Sequence, residues 1–291
     1  RGEDDRLYVS KMSGILKKEK YRKALDKKCN YRAWFRFLKG LLYPLLKLML
    51  PGRALGLENL PEKGGYILSF NHRSLLDAPM AFSAIPMYWH FIAKEEFYNS
   101  AFFRWLLPRL GVVGVNRENI DLSTIRRVVG LLKNGEVLGI FPEGTRNRDA
   151  SDESMLKVKH GAAMFAVRGN ACVLPVYIYR RPKFFRRSYL YIGKPIDLAS
   201  GVNGPLTAEK LGELAEQISA GMEEAKEYLG TIMREKRYGK EVRAEKKRMK
   251  ARKKARRKEE KLRRAEEKRL KAEKLREELA ARKHGKGEDK E

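Results

Sequence analysis

The sequence predicts an α/β fold: a mostly parallel central sheet covered on both faces by helices, with an amphipathic helical segment before it and a charged helix after it. Three observations carry this expectation. From residue 64 to 199, short β-rich runs alternate with helical stretches of about ten residues, the pattern of strands joined by crossover helices. Residues 31–50 combine broad apolar faces with one thin cationic stripe. Residues 234–283 are nearly all Lys, Arg, Glu and Ala.

The 291 residues are enough for one or two domains with a buried core. A 43% hydrophobic content excludes wholesale disorder, and 35% charged residues exclude a polytopic membrane protein. The 64 Lys and Arg against 37 Asp and Glu leave a net charge of +27. Residues 234–291 hold 27 basic and 13 acidic side chains, net +14, so the preceding 233 residues carry +13. A body and a tail that are both basic point to phosphate-bearing partners: nucleic acid, anionic lipid or phosphorylated substrates.

Taken in order, residues 1–30 read as a polar, basic arm. In 31–50, polar residues Arg32, Arg36, Lys39, Tyr43 and Lys47 draw one stripe on a helix otherwise made of Trp, Phe, Leu and Met. Its longest uncharged run, residues 40–46, is far below the ~20 residues that span a bilayer, so the segment suits the headgroup boundary. A core helix would also fit this pattern. Pro44 is expected to kink it.

Strands are expected at 65–70, 89–93, 112–115, 137–141, 171–179 and 188–192. Helices are expected at 77–85, 99–107, 122–133, 158–168 and 207–233. Residues 234–283 contain no Pro, and Glu259/Arg263, Glu260/Arg264 and Glu267/Lys271 stand at i, i+4. Leu262, Leu270, Leu275 and Leu279 are too sparse for a heptad seam, so the tail reads as a solvated single helix.

Cys29 and Cys172 are the two cysteines, far apart and without metal-ligand spacing, which argues against a disulfide framework or zinc site. Cys172, within an apolar run, reads as a buried core thiol. No stretch resembles a signal peptide, and a start at Arg1 is expected of a chain cut from something longer.

Three strand ends carry the chemistry. The 65–70 strand runs into Asn71-His72-Arg73-Ser74-Leu75-Leu76-Asp77. A His at the carboxyl end of a strand lies where open α/β sheets bind ligands. Asp77 can reach back to its Nδ1–H, which leaves Nε2 as a base. A helix-capping Asp beside a structural His fits equally. The strongest strand runs into Phe141-Pro142-Glu143-Gly144-Thr145-Arg146. Gly144 allows close approach, Thr145 offers a hydroxyl and Arg146 a bidentate fork, with Glu143 expected to hold Arg146 or an acceptor hydroxyl. Alone, such a segment is more often a turn with a surface ion pair. A third strand end, Gly114-Val115-Asn116-Arg117, brings a second guanidinium. A base with two guanidinium groups suits an enzyme whose acceptor bears a phosphate. There is no P-loop, no GxGxxG and no nucleophile elbow.

Residues 71–77 resemble the His-four-residues-Asp motif of the glycerolipid acyltransferases, in its Asn-His-x-Ser-x-x-Asp form. Residues 141–146 resemble their third motif. Gly114 and Arg117 match the second, where Val115 and Asn116 replace the usual aromatic and acidic residues. Val173-Leu174-Pro175-Val176 resembles the fourth. The likeness covers about residues 45–200 and is nearest to the bacterial 1-acyl-sn-glycerol-3-phosphate (lysophosphatidic acid) acyltransferase branch. It implies a catalytic domain at 51–233 in which His72 and Asp77 are catalytic. Arg117, Glu143, Gly144, Thr145 and Arg146 would bind the acceptor's phosphate and glycerol. Asn71, Ser74, Gly114 and Pro175 would support the motifs, with Pro175 either near the acyl donor or merely turning its strand.

The resemblance implies transfer from acyl-CoA or acyl-carrier protein to the sn-2 hydroxyl of 1-acyl-sn-glycerol 3-phosphate, giving phosphatidic acid in phospholipid biosynthesis. No metal or other cofactor is expected beyond the thioester co-substrate. Glycerol 3-phosphate or another lysophospholipid is the alternative acceptor. The rival from another class is a non-catalytic protein gripping anionic membranes or RNA through the 234–291 tail. With almost no aromatics after Tyr238 for base stacking, the tail speaks against nucleic acid. Anionic lipid, met through 31–50 and the tail at the cytoplasmic face of the membrane, is the expected surface partner.

Overall fold

The structure is a computed structural model that describes residues 43–85, 87–116, 121–147, 155–202 and 204–285. It has two compact units, Arg1–Lys236 and Arg237–Glu291. The expected 1–30 arm, most of the 31–50 segment and Arg117 lie outside the described residues.

In the first unit, residues 43–49 are helical and lead into strand β1 (Gly52–Leu55). Strand β2 (Tyr66–Phe70) and helix α1 (Asp77–Ala84) follow, then β3 (His90–Lys94) and α2 (Ala101–Arg109). Next come β4 (Val113–Val115), α3 (Leu122–Lys133), β5 (Val137–Ile140) and α4 (Gly161–Gly169). The unit closes with β6 (Cys172–Ile178), β7 (Ser188–Ile192) and α5 (Ala208–Arg234). The second unit is helix α6 (Tyr238–Gly285).

The seven strands form one sheet in the order β1-β7-β6-β2-β5-β3-β4. β6, β2, β5, β3 and β4 are parallel to one another. β7 pairs antiparallel with β6, and β1 runs parallel to β7. The carboxyl ends of five strands therefore share one edge with the amino ends of β7 and β1. In the first unit the elements match those expected to within three residues at each end, except that β1 was not foreseen: Gly-Arg-Ala-Leu is too short and mixed to read as a strand.

Both faces of the sheet are covered, which is why its strands are almost continuously apolar. Successive residues of β2 take opposite sides: Ile67 packs in the cluster under α3, α4 and α5, while Leu68 and Phe70 pack with Met80 and Trp89 under α1. Ring stacking of Trp89 on Phe70 (5.3 Å) and on Phe82 (4.1 Å) fills the second layer. Cys172 is half-buried against this layer, short of the full burial expected, and burial raises its thiol pKa.

The cationic stripe of 31–50 departs from expectation at its described end. Lys47 is turned inward, and its Nζ donates to the carbonyls of Gly52 and Ser83, the latter at 2.8 Å. Burial, then Arg53, lowers its pKa. Tyr43 Oη also donates to Ser83 O, at 3.3 Å. Leu45 and Leu48 face outward instead. The Ser83 carbonyl in the last turn of α1 and the Gly52 carbonyl at the start of β1 attract the polar side chains, a demand that helical periodicity cannot reveal.

Helix α6 is exposed over residues 246–267, as a helix with no continuous apolar face must be. Glu260 and Arg264 pair at 2.7 Å as expected, but Arg263 pairs with Glu267 (3.7 Å) in place of Glu259.

Candidate active site

His72 owes its position to the residue before it. Asn71, buried at the end of β2, is clamped to the end of β6. Its backbone N–H donates to Val176 O (3.4 Å), its Nδ2 donates to Ile178 O (3.2 Å), and its Oδ1 accepts from Ile178 N–H (2.7 Å). This side chain continues the ladder in place of backbone, so the chain is free to turn at His72. The turn is closed from the other side by Asp77, the first residue of α1 and 1% exposed. Its Oδ2 accepts from the N–H groups of Arg73 and Ser74, each at 2.7 Å. Ser74 Oγ accepts from Leu76 N–H at 3.1 Å. Neither Ser74 nor Asn71 caps α1, whose cap position is Leu76.

The same Asp77 Oδ2 lies 2.9 Å from His72 Nδ1. A carboxylate offers only acceptors, so Nδ1 carries the proton and the lone pair is left on Nε2. The imidazole stacks on Phe141 (3.8 Å between centroids, 12° between planes), which stops it swinging. His72 keeps 11% of its side chain accessible, enough to meet a substrate.

The loop after β5 holds the backbone of His72 on both sides. Glu143 Oε1 accepts the His72 N–H at 3.2 Å, and Asn147 N–H donates to His72 O at 2.8 Å. Glu143 is 2% exposed, and its Oε2 has no hydrogen-bond partner among the described residues. Burial pushes its pKa up to about 7, against the lowering pull of the backbone N–H groups of His72 and Leu156 and of Arg73. The sequence led us to expect Glu143 on Arg146 or on an acceptor hydroxyl; the structure puts it on the His72 loop, and its burial is what the sequence did not disclose.

Gly144 turns with φ 71°, a left-handed backbone that glycine adopts without strain, and its N–H donates to Phe141 O at 3.1 Å. A Cβ there would meet Lys159 Cδ and Cε at 2.9 Å and Nζ at 3.0 Å, so the Lys159 stem crosses this glycine. Lys159 N–H donates to Pro142 O at 3.0 Å, which fixes the crossing. Thr145 is exposed and Arg146 half-exposed beside it. These groups and His72 occupy one edge of the sheet.

The remaining expected residues lie elsewhere. Gly114 sits within β4, where a Cβ would come 2.7 Å from the Tyr98 ring, so it makes room for that buried side chain. Pro175 is opposite Ser69 inside β6, three residues and about 10 Å down β2 from His72. Its ring packs toward Gly193 and Gly221, and the strand continues through it without turning. The structure does not bring it to the His72 cluster.

Three residues were missed. Arg73 is buried, its Nη2 donating to Tyr177 Oη at 2.8 Å with the guanidinium over the Tyr177 ring. Asn147 and Lys159 reach the site through long-range contacts. Only the lysine's charge was visible in the sequence, and nothing there singled it out from its neighbours Lys157 and His160.

No group of His, Cys, Asp and Glu among the described residues could hold a metal ion. No described helix is long and apolar enough to cross a membrane.

Known proteins match this chain over the same region. The Acyltransferase family model matches residues 53–179, a span that contains His72, Asp77 and the loop after β5. The 1-acyl-sn-glycerol-3-phosphate acyltransferase of Bacillus subtilis is 28% identical over 205 residues, covering 68% of this chain and 100% of that protein. The protein of the same name from Streptococcus pneumoniae is 30% identical over 179 residues, 58% of this chain and 64% of that protein. Among solved structures, the 1-acyl-sn-glycerophosphate acyltransferase of Thermotoga maritima superposes with a TM-score of 0.50 at 28% identity, over 68% of this chain and 79% of that one.

Proposed function

We propose that this chain, which belongs to the acyltransferase family, transfers an acyl group from a thioester donor to the sn-2 hydroxyl of 1-acyl-sn-glycerol 3-phosphate. The observation that carries the mechanism is the 2.9 Å contact between His72 Nδ1 and Asp77 Oδ2, which leaves Nε2 as the base.

In this reading, Nε2 takes the hydroxyl proton as the acceptor oxygen attacks the thioester carbonyl. Asp77 balances the imidazolium that forms. The tetrahedral intermediate collapses, the carbon–sulfur bond breaks, and the leaving sulfur takes the proton from His72 to depart as free thiol. The thioester is already activated, so the hydroxyl can attack it without a covalent acyl-enzyme. Arg146 and Arg117 bind the acceptor phosphate, and Lys159 at Gly144 adds a third cation. The donor is acyl-CoA or acyl-carrier protein, both acidic and suited to a basic body.

The acceptor and product are lipids, so the protein works at a membrane surface, on the cytoplasmic face. Support comes from the net charge of +27 and from Leu45 and Leu48, exposed on the described end of the 31–50 segment. The tail is read as a further anionic-lipid contact, at about 1 kcal/mol per basic residue at most and weakened by its interspersed Glu.

Purified protein given lysophosphatidate and either donor should release thiol, and His72→Ala should abolish the release. A panel containing glycerol 3-phosphate and other lysophospholipids identifies the acceptor. Turnover that survives His72→Ala overturns the mechanism.

A further inference from the structure

The edge of the sheet that carries His72 also collects exposed apolar side chains. Because β7 and β1 run against the parallel block, Ser188 and Gly52 begin at this edge, paired with each other. Leu190 stands opposite Ile178, so the β6–β7 loop also lies there. The loop is tied to the 43–49 helix: Phe185 N–H donates to Met49 O at 2.6 Å, and Ser188 N–H donates to Pro51 O at 3.2 Å. Leu45 and Leu48 protrude from that helix, Leu75 from the His72 turn, and Phe184 and Phe185 from the loop.

The loop is a formed projection. Arg186 N–H donates to Lys183 O at 3.3 Å, and Phe185 adopts φ 59°, a left-handed backbone that bulky residues rarely take. The result is two adjacent rings, 52% and 72% exposed. Residues 179–187 contain five cations and no acid, and Arg180, Lys183, Arg186 and Arg187 are exposed. Adjacent protruding rings among cations match a surface that is apolar inside and anionic outside.

We propose that the β6–β7 loop inserts Phe184 and Phe185 into an anionic phospholipid bilayer, with Lys183, Arg186 and Arg187 on headgroup phosphates, so that the His72 edge faces the membrane. An acidic protein would complement the cations but would leave the rings without a matching apolar phase. A bilayer supplies both. The inference rests on the reading that the acceptor is a lipid, since that gives the orientation its purpose.

Full-length Phe184→Trp protein, added to phosphatidylcholine–phosphatidylglycerol vesicles with brominated acyl chains, should show quenching beyond that of the parent. Phe184→Ser/Phe185→Ser should lower vesicle partitioning about tenfold. Lys183→Gln/Arg186→Gln/Arg187→Gln should remove most of the preference for phosphatidylglycerol. Unquenched F184W emission on bound vesicles, or absence of vesicle binding, overturns the proposal. So does a double-serine variant that partitions normally but loses affinity for acyl-carrier protein or for a second copy of the chain. Turnover of dispersed short-chain lysophosphatidate, measured alongside, separates the two readings. Its absence in the parent sinks the proposed function, whereas turnover with unquenched F184W sinks only the loop.

Discussion

Glu143 holds His72 by its backbone: Oε1 accepts the His72 N–H at 3.2 Å from within a site where the carboxyl is 2% exposed. The loop after β5 therefore positions His72. Glu143→Ala should lower kcat about 10–100-fold, since small displacements of a base are costly, while Glu143→Gln keeps the acceptor oxygen and should stay within a few-fold of the parent. Steady-state kinetics with circular dichroism as the folding control checks this. Equal losses in both variants would count against positioning.

The burial of Glu143 also sets a pH dependence. Its pKa is about 7 in the folded protein against the ordinary 4.5, so between those values the folded state holds a proton that the unfolded chain has released. This contribution to stability is whole below about 4.5, falls as pH rises toward 7, and levels off above, a change of up to about 3 kcal/mol. Urea unfolding at several pH values should show this slope in the parent and a flatter profile in Glu143→Gln.

Asp77 Oδ2 accepts three N–H groups, those of Arg73, Ser74 and the His72 ring. An asparagine can present its carbonyl oxygen to the same three donors, so Asp77→Asn should fold with near-parental stability. What it lacks is the charge that balances the imidazolium, and kcat should fall about 10²-fold. Asp77→Ala should lose activity and several degrees of melting temperature together, because it also frees two backbone donors.

Arg146 lies two residues beyond Gly144, the glycine that the Lys159 side chain crosses, so two cations stand together here. Arg146→Ala should raise KM for a phosphate-bearing acceptor about tenfold or more with less effect on kcat, and Arg146→Lys should rescue little because a bidentate fork is lost. A kcat-only effect would place Arg146 away from ground-state phosphate binding.

Gly114→Ala puts a methyl 2.7 Å from the Tyr98 ring, whose hydroxyl is anchored to Val112 O at 2.9 Å. Overpacking there should cost about 1–3 kcal/mol in denaturant unfolding. Activity per folded molecule should stay close to that of the parent.

The local patterns in the sequence were enough for the elements from β2 through α6, because strand and helix periods are properties of neighbouring residues. They were also enough to mark His72 with Asp77, five residues apart on one turn. β1 escaped because four residues carry no period, and it forms only by pairing with β7. Pro175, expected either near the acyl donor or turning its strand, lies opposite Ser69 and well below His72, since membership in a strand says nothing of depth along it.

The order of strands and helices, the juxtaposition of His72 with Asp77 and the excess of positive charge are all legible in the residue pattern alone. The direction in which each group faces came instead from the folded packing. It turned Lys47 inward onto the Ser83 carbonyl at the end of α1, buried Arg73 against Tyr177, and put Glu143 on the His72 backbone. It also brought Met49 and Phe185, 136 positions apart in the chain, into contact at the His72 edge. The reason is that burial and hydrogen-bond completion are settled between segments distant in sequence, where local periodicity carries no information.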